Sequence, residues 1–423
     1  KKQLKMTERY KVCREHFPME KSNNSKNNNG NKIDENKSSE ADNKDELISF
    51  SELRQHNGPF DAWTLVNDKV LDITEFAKHH PGGEIILLSA GKDATVLFHS
   101  YHPRGHALPN AAMKKLQIGT IRHDPSIHNS YYNWDSPFYS TLRTRVVKHL
   151  ISLNRPIRGN TDVQIKAALI LACFWILLFK MCAASSLTFG LIWSILMGFV
   201  THLIGTCIMH DGNHGAFSTN RILNTAAGWT MDMAGFSAFA WQIQHVLGHH
   251  PYTNLLDARE DDKRRGEGAN RDSNMKNKYA PISMEMQDQE SDPDVFSSYP
   301  FMTMNPFHEP KWFHKYQHLY APVLLALATM SKIFVSDVEI MTSHHLHHIN
   351  AECVCGSMMN MIRFWSMKVM SFCYIVGLPC YFQGIKNGIL MFAVSHLVCG
   401  ESLAIMFLVN HMIEGVAYAQ KDL

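Results

Sequence analysis

The chain has 423 residues, which is long for one ordinary domain and points to two or more. Its 41 basic and 39 acidic side chains leave a formal net charge of +2, which excludes a nucleic-acid reader built on a strongly basic face. Nine cysteines, several inside apolar runs, do not form a secreted disulfide framework, and the polar opening residues read as a cytosolic N-terminus without a signal peptide.

Residues 1–46 are rich in Asn, Ser, Lys and acidic side chains. Such a stretch cannot bury enough surface to offset the entropy of ordering, so a disordered tail is expected. Residues 47–123 turn globular, with short strands at Trp63–Val66 and Val70–Asp72 about an Asn67-Asp68 turn. Short helices are expected over Thr74–His79 and Glu84–Ser89, and between them stands His80-Pro81-Gly82-Gly83. The proline fixes a turn, and the glycines let the backbone pass close to a large flat ligand. A second histidine follows in Phe98-His99-Ser100-Tyr101-His102-Pro103. Two neutral imidazoles on opposite faces of a haem leave iron no open position, which suits one-electron transfer rather than oxygen chemistry.

A polar linker, 124–160, leads to the apolar region 161–423. Val163–Ala184 and Leu187–Met209 are each long enough to cross a bilayer core of roughly 30 Å, and their short separation predicts a tight hairpin. Arg221–Gln244 is semi-apolar and reads as interfacial, while 257–290 is charged and reads as a long cytosolic loop. Blocks at 367–382 and 388–409 supply two more spans. The block 320–335 is short and opens on Ala-Pro, and counting it as a span would place His411 across the membrane from the other histidines. It is therefore expected to be interfacial or re-entrant, giving four spans with both termini cytosolic.

Histidines cluster where the second span ends. His210-Asp211-Gly212-Asn213-His214 sets two imidazoles at i and i+4, one turn apart on one helical face. Asp211 is placed to accept a ring N–H and fix a tautomer. His245-Val246-Leu247-Gly248-His249-His250 repeats the pair and adds a third ring. Imidazole suits iron, and neither cluster has the His-Glu-x-x-His form of a zinc protease. His202, within the second span, is a weaker candidate for contact with substrate. His344-His345-Leu346-His347-His348 reads as a solvated run, and Cys353-x-Cys355 as incidental.

Residues 47–121 resemble the cytochrome b5 family, whose haem ligands correspond here to His80 and His102, leaving His79 and His99 as surface neighbours. From about 200 onward the chain resembles the membrane fatty-acid desaturases, specifically the front-end group with a fused cytochrome b5 domain. The carrying strings are MHDGNHGAFS (Met209–Ser218), WQIQHVLGHHPYTN (Trp241–Asn254), SDPDVFSSYP (Ser291–Pro300) and FLVNHMIEG (Phe407–Gly415). The texture looks most like delta-4 or delta-5 polyunsaturated fatty-acyl desaturases.

The resemblance implies an α+β haem domain followed by an all-α membrane domain of about four transmembrane helices. It implies haem b and two non-haem irons, with His210, His214, His245, His249 and His250 as catalytic iron ligands and His411 as a further one. It also implies a fatty-acyl lipid or acyl-CoA substrate, dioxygen, an NADH-cytochrome b5 reductase as electron source, and the endoplasmic reticulum membrane with a cytosolic active site. The family's third histidine box lies beyond the last span and is not reached before Leu423, so a C-terminally incomplete and inactive chain is expected. Sphingolipid desaturation, acyl hydroxylation and non-catalytic electron transfer are the alternatives.

Overall fold

The computed structural model describes residues 46–80, 82–102, 107–122, 136–153, 158–250, 253, 255–256, 294, 300–304, 310–346, 349–351, 357–412 and 419–420. The expected disordered tail up to residue 45, the loop 257–290, His347, His348, Cys353 and Cys355 lie outside them. The chain divides into two compact units, Lys1–His123 and Asp124–Leu423.

The first unit is built on a five-stranded sheet in the order β1-β5-β4-β3-β2. The strands are β1 (Leu47–Ile48), β2 (Asn57–Gly58), β3 (Asp61–Val66), β4 (Lys69–Asp72) and β5 (Gln117–Ile121), with β1 parallel to β5 and the other pairs antiparallel. β3 and β4 form the expected hairpin, pairing Val66 with Lys69 across the two-residue turn Asn67-Asp68. Asn67 adopts φ 54°, a left-handed conformation that Asn tolerates better than most residues and that this kind of turn requires. Helices α1 (Phe50–Leu53), α2 (Thr95–Tyr101) and α3 (Ala107–Leu116) complete the unit, with 3-10 turns over Phe76–Lys78 and Glu84–Ser89. Ile48, Leu53, Leu65, Val70, Ile73, Leu88 and Ile121 fill its core.

In the second unit, α4 (Pro137–Ser152) precedes two long apolar helices, α5 (Thr161–Cys182) and α6 (Leu187–Asn213). Asn160 and Ser186 cap their N-termini by accepting from the Val163 and Phe189 amides, which confines the connection to a few residues and makes the hairpin. Two more apolar helices follow, α11 (Met358–Gln383) and α12 (Ile385–His411). At 22 to 27 residues each, the four are long enough for a bilayer core of roughly 30 Å at 1.5 Å per residue. α6 and α12 approach closely because Gly198 has no side chain: a Cβ there would sit 2.5 Å from the Ser395 carbonyl oxygen. The apolar core between the spans includes Phe174, Met181, Met197, Ile204, Ile208 and Met391.

α11 begins nine residues before the apolar block expected from 367. Its early turns carry Arg363, which a hydropathy reading rejects, and the expected block itself holds Lys368. Both are accommodated by partners: Arg363 lies over the Trp229 and Phe239 rings, and the buried Lys368 amine donates to the Gly235 and Ile333 carbonyls.

Between the spans lie α7 (Arg221–Met233), α8, and the pair α9 (His314–Ala326) and α10 (Ala328–Ser343), bent by 47° at Leu327. α8 starts as Ala238–Trp241 and continues as a π-helix over Gln242–His249. The ends of α6, α8 and α12 meet in one place. The bend in the pair α9–α10 is that of a broken span or of a re-entrant loop.

Candidate functional site

In the first unit, the His80 and His102 rings stand 6.4 Å apart, centre to centre. Each faces a backbone carbonyl with Nδ1: Gly83 O at 3.3 Å for His80 and Phe98 O at 2.8 Å for His102. That fixes the tautomer with Nδ1 protonated and leaves both Nε2 lone pairs for a metal. A ring nitrogen binds a metal at about 2 Å, so two rings on opposite sides of one iron have centres roughly 6 Å apart, which these two residues match. Burial lowers the His102 pKa, and the Phe98 carbonyl opposes that only in part, so the ring is neutral and able to ligate.

The two glycines after His80 have separate duties. A Cβ on Gly82 would lie 2.9 Å from His80 Cε1. Gly83 sits at φ 87°, ψ −165°, a region open essentially to glycine alone. His79 is exposed, and His99 Nε2 contacts Asn67 Oδ1 at 3.2 Å. Haem fits the pair His80 and His102.

In the second unit, three segments distant in sequence bring their histidines together. Rings of His210 and His214 lie 4.6 Å apart, His214 and His250 4.7 Å, His245 and His250 4.6 Å, and His245 and His249 4.9 Å. His411, at the end of α12, comes within 4.7 Å of His249. His250 Nε2 lies 3.1 Å from His245 Nε2 and 3.2 Å from His214 Nε2. Three ring nitrogens drawn this close are arranged for a cation. Two three-donor groups meet within 4.8 Å, His210 with His214 and His245, and His245 with His249 and Asp294.

The helical geometry differs from the α-helical spacing expected of these motifs. A π-turn over Gly205–Met209 sets the direction of His210, and His245 and His249 themselves lie in the π-helix. There the His250 amide donates to the His245 carbonyl, an i to i+5 bond. With the turn widened, positions i+4 and i+5 fall on either side of position i. Three histidines of one helix thus reach a common centre, which an α-helix allows to two.

Several contacts hold the segments in place. Gly212 lets α7 press close, since a Cβ there would be 2.4 Å from the Gly228 nitrogen. Asn224 locks the loop after His214, accepting from the Ser218 amide at 2.7 Å and donating to its carbonyl at 2.9 Å. Gln242 donates to Asn213 Oδ1 at 3.0 Å, tying the first histidine segment to the second. Trp241 stacks on the His245 ring at 4.2 Å.

Asp211 stands 3.4 Å from His210 Nδ1, with both side chains about two-fifths exposed, a long and solvated contact. The close carboxylate is Asp294, 2.5 Å from His245 Nδ1, with its side chain 4 % exposed. This residue was not singled out by its sequence pattern. Its signal was the SDPD string, some fifty positions from the histidine it serves.

Burial and the neighbouring rings drive the His214 pKa down to about 2 and that of His250 to about 4. Burial likewise lowers His245, against the pull of Asp294. Burial pushes the Asp294 carboxyl up, but the His245 hydrogen bond and adjacent imidazoles outweigh it and leave it below the ordinary value. The rings are therefore neutral near pH 7, with lone pairs available to a metal. Iron fits this donor set, being well served by imidazole.

Of the remaining candidates, His202 is half-buried in α6, away from these contacts, with Nδ1 unpaired among the described residues. His344 adopts φ 61° at the end of α10. Ile349–Asn350 lies against the π-helix, whereas His347 and His348 fall outside the described residues.

Both units match known protein families. Residues 49–122 match the family described as cytochrome b5-like haem/steroid binding domain, and residues 185–416 match the fatty acid desaturase family. Acyl-lipid (8-3)-desaturase B of Dictyostelium discoideum is 33% identical over 378 residues, covering 88% of this chain and 72% of the relative. Delta(5) fatty acid desaturase A of the same organism is 30% identical over 383 residues, with the same coverage. Acyl-lipid (8-3)-desaturase of Physcomitrium patens is 27% identical over 391 residues, again with 88% and 72% covered.

Proposed function

Because the chain belongs to the fatty acid desaturase family, with a cytochrome b5-like domain fused ahead of the desaturase region, we propose that it is a delta-5-type front-end desaturase of polyunsaturated fatty-acyl chains. The membership makes it an oxidoreductase enzyme and, with its four apolar helices, a multi-pass membrane protein. The delta-5 position is favoured because relatives bearing that name match over 88% of this chain, whereas (7-3)-desaturases match over 48–59%. The observation that carries the reading is the convergence of His210, His214, His245, His249, His250 and His411 at one end of the spans.

When bound, haem b supplies one-electron transfer and a pair of irons supplies the activation of dioxygen that removes two hydrogens from an acyl chain. His80 and His102 would hold the haem, their Nδ1 protons on backbone carbonyls. The six membrane-unit histidines would hold the iron. Asp294 accepts the Nδ1 proton of His245, turning Nε2 toward the other rings. An NADH-cytochrome b5 reductase is the electron source, the endoplasmic reticulum the location, and the histidine face cytosolic.

The test is product analysis. Yeast expressing the full-length protein is fed polyunsaturated acyl chains, and the new double bond is located by mass spectrometry. A cis bond inserted on the carboxyl side of the existing unsaturation, at carbon 5, is expected. A hydroxylated product, or a new bond in a sphingoid base, would replace this reading with the corresponding one.

A further inference from the structure

Behind the histidine cluster runs a chain of buried and half-buried polar groups that draws on three further elements. Asp294 presents Oδ2 to His245, and its Oδ1 accepts from Gln244 Nε2 at 3.0 Å. The Gln244 carbonyl oxygen accepts from Lys332 Nζ, also at 3.0 Å. Lys332 lies in a π-turn, Lys332–Ser336, within α10. Its amine pairs with Asp337 Oδ1 at 2.9 Å, and Asp337 Oδ2 lies 3.4 Å from Lys368 Nζ on α11. Asp337 is wholly buried, and Lys368 is 5 % exposed.

Two carboxylates and the Lys368 amine removed from water, with Lys332 only part-exposed, are costly to hold, so an arrangement with matched partners calls for a reason beyond stability. The pattern of bonds supplies one. Gln244 is an amide, with one acceptor and one donor end. Lys332, which can only donate, claims the oxygen of that amide. The nitrogen end is thereby forced toward Asp294, where it holds Oδ1 and leaves Oδ2 for the His245 ring. Lys368 neutralises the second charge and fixes Asp337, which in turn fixes Lys332.

We propose that Lys332, Asp337 and Lys368, acting through Gln244 and Asp294, form a positioning latch that holds the His245 ring with Nε2 turned to the other imidazoles. None of the three touches the histidines directly; they are positioning residues. The bent pair α9–α10 thereby acquires a role in the site, carrying the π-turn that presents Lys332 to the back of α8. The inference rests on the reading of the cluster as an iron site.

The test uses the full-length protein, in which the haem unit gives an internal measure of intact polypeptide. Ferrous iron binding is titrated and normalised to haem for wild type, Gln244→Leu, Gln244→Glu and Lys332→Met. Gln244→Leu leaves the charged groups in place and removes only the link, so it separates positioning from folding. It is expected to weaken binding roughly 10- to 100-fold, the usual consequence of losing a partner behind a metal ligand. Gln244→Glu, which sets a second carboxylate against Asp294, is expected to weaken it at least as much although it keeps the bond to Lys332. Lys332→Met should match Gln244→Leu in the haem-normalised fraction. Iron affinity unchanged in Gln244→Leu and Gln244→Glu would overturn the latch while leaving the site intact. A wild-type protein that takes up no iron beyond its haem would overturn the reading of the site itself, and the latch with it.

Discussion

The two histidine sites are assembled in opposite ways. His80 and His102 stand 22 positions apart, and each ring is oriented by a carbonyl three or four residues from itself, at Gly83 and at Phe98. The membrane-unit cluster draws on His210, His245 and His411, and the groups that orient it come from as far away as Asp294 and Lys332. Local turn chemistry builds the first, and packing between remote segments builds the second. A site of the first kind fails through its own motif, whereas a site of the second kind can be weakened from many places that carry no motif at all.

The largest effect expected from that contrast is at His80. His80→Ala should abolish haem binding, seen as loss of the low-spin haem spectrum, while non-haem iron binding in the second unit persists. A second test runs the other way. Asp294→Ala leaves the buried His245 Nδ1–H without its carboxylate and should lower iron affinity roughly 10- to 100-fold, with the haem spectrum unchanged. Isothermal titration with ferrous iron under anaerobic conditions measures it.

A milder perturbation is Asn213→Ala, which removes the bond from Gln242 that joins the first two histidine segments. A neutral hydrogen bond contributes about 0.5–1.5 kcal/mol, so a severalfold loss of iron affinity is expected. Thermal unfolding of the haem unit should not move.

The smallest effect is pH-dependent and concerns Asp232 on α7. Burial raises its pKa to about 6, against the Ala238 amide and Arg363, which favour the charged form. A carboxyl raised in the folded state binds its proton more readily there than in the unfolded chain. Its stabilising contribution is present below about pH 4 and is lost as pH rises through about 6. Asp232→Asn, which mimics the protonated form, should therefore be at least as stable as wild type at pH 7.5, with the advantage vanishing near pH 4. Thermal melts at the two pH values give the comparison.

The same contrast governs how much could be read in advance. His-Pro-Gly-Gly states its own geometry, because the constraints on Gly82 and Gly83 arise within the motif, and the β3–β4 hairpin follows from Asn67-Asp68. The four spans were legible from apolar runs, apart from the start of α11, where the partners of Arg363 are invisible to a hydropathy reading. The histidine spacing marked the second site but not its form. Nothing in His-x-x-x-His-His announces a π-helix, since a spacing of four fits one turn of an α-helix equally well. Asp294 escaped for a related reason: a carboxylate in a loop gives no sign of a ring fifty residues away. Asp211, adjacent to its histidine, attracted the role that the distant Asp294 fills at closer range.

The most direct test of two separately built centres is metal analysis of the full-length protein alongside His80→Ala and His245→Ala. The account predicts haem and non-haem iron together in wild type, iron without haem in His80→Ala, and haem with sharply reduced non-haem iron in His245→Ala. Non-haem iron that survives undiminished in His245→Ala, or that disappears together with the haem in His80→Ala, would contradict it.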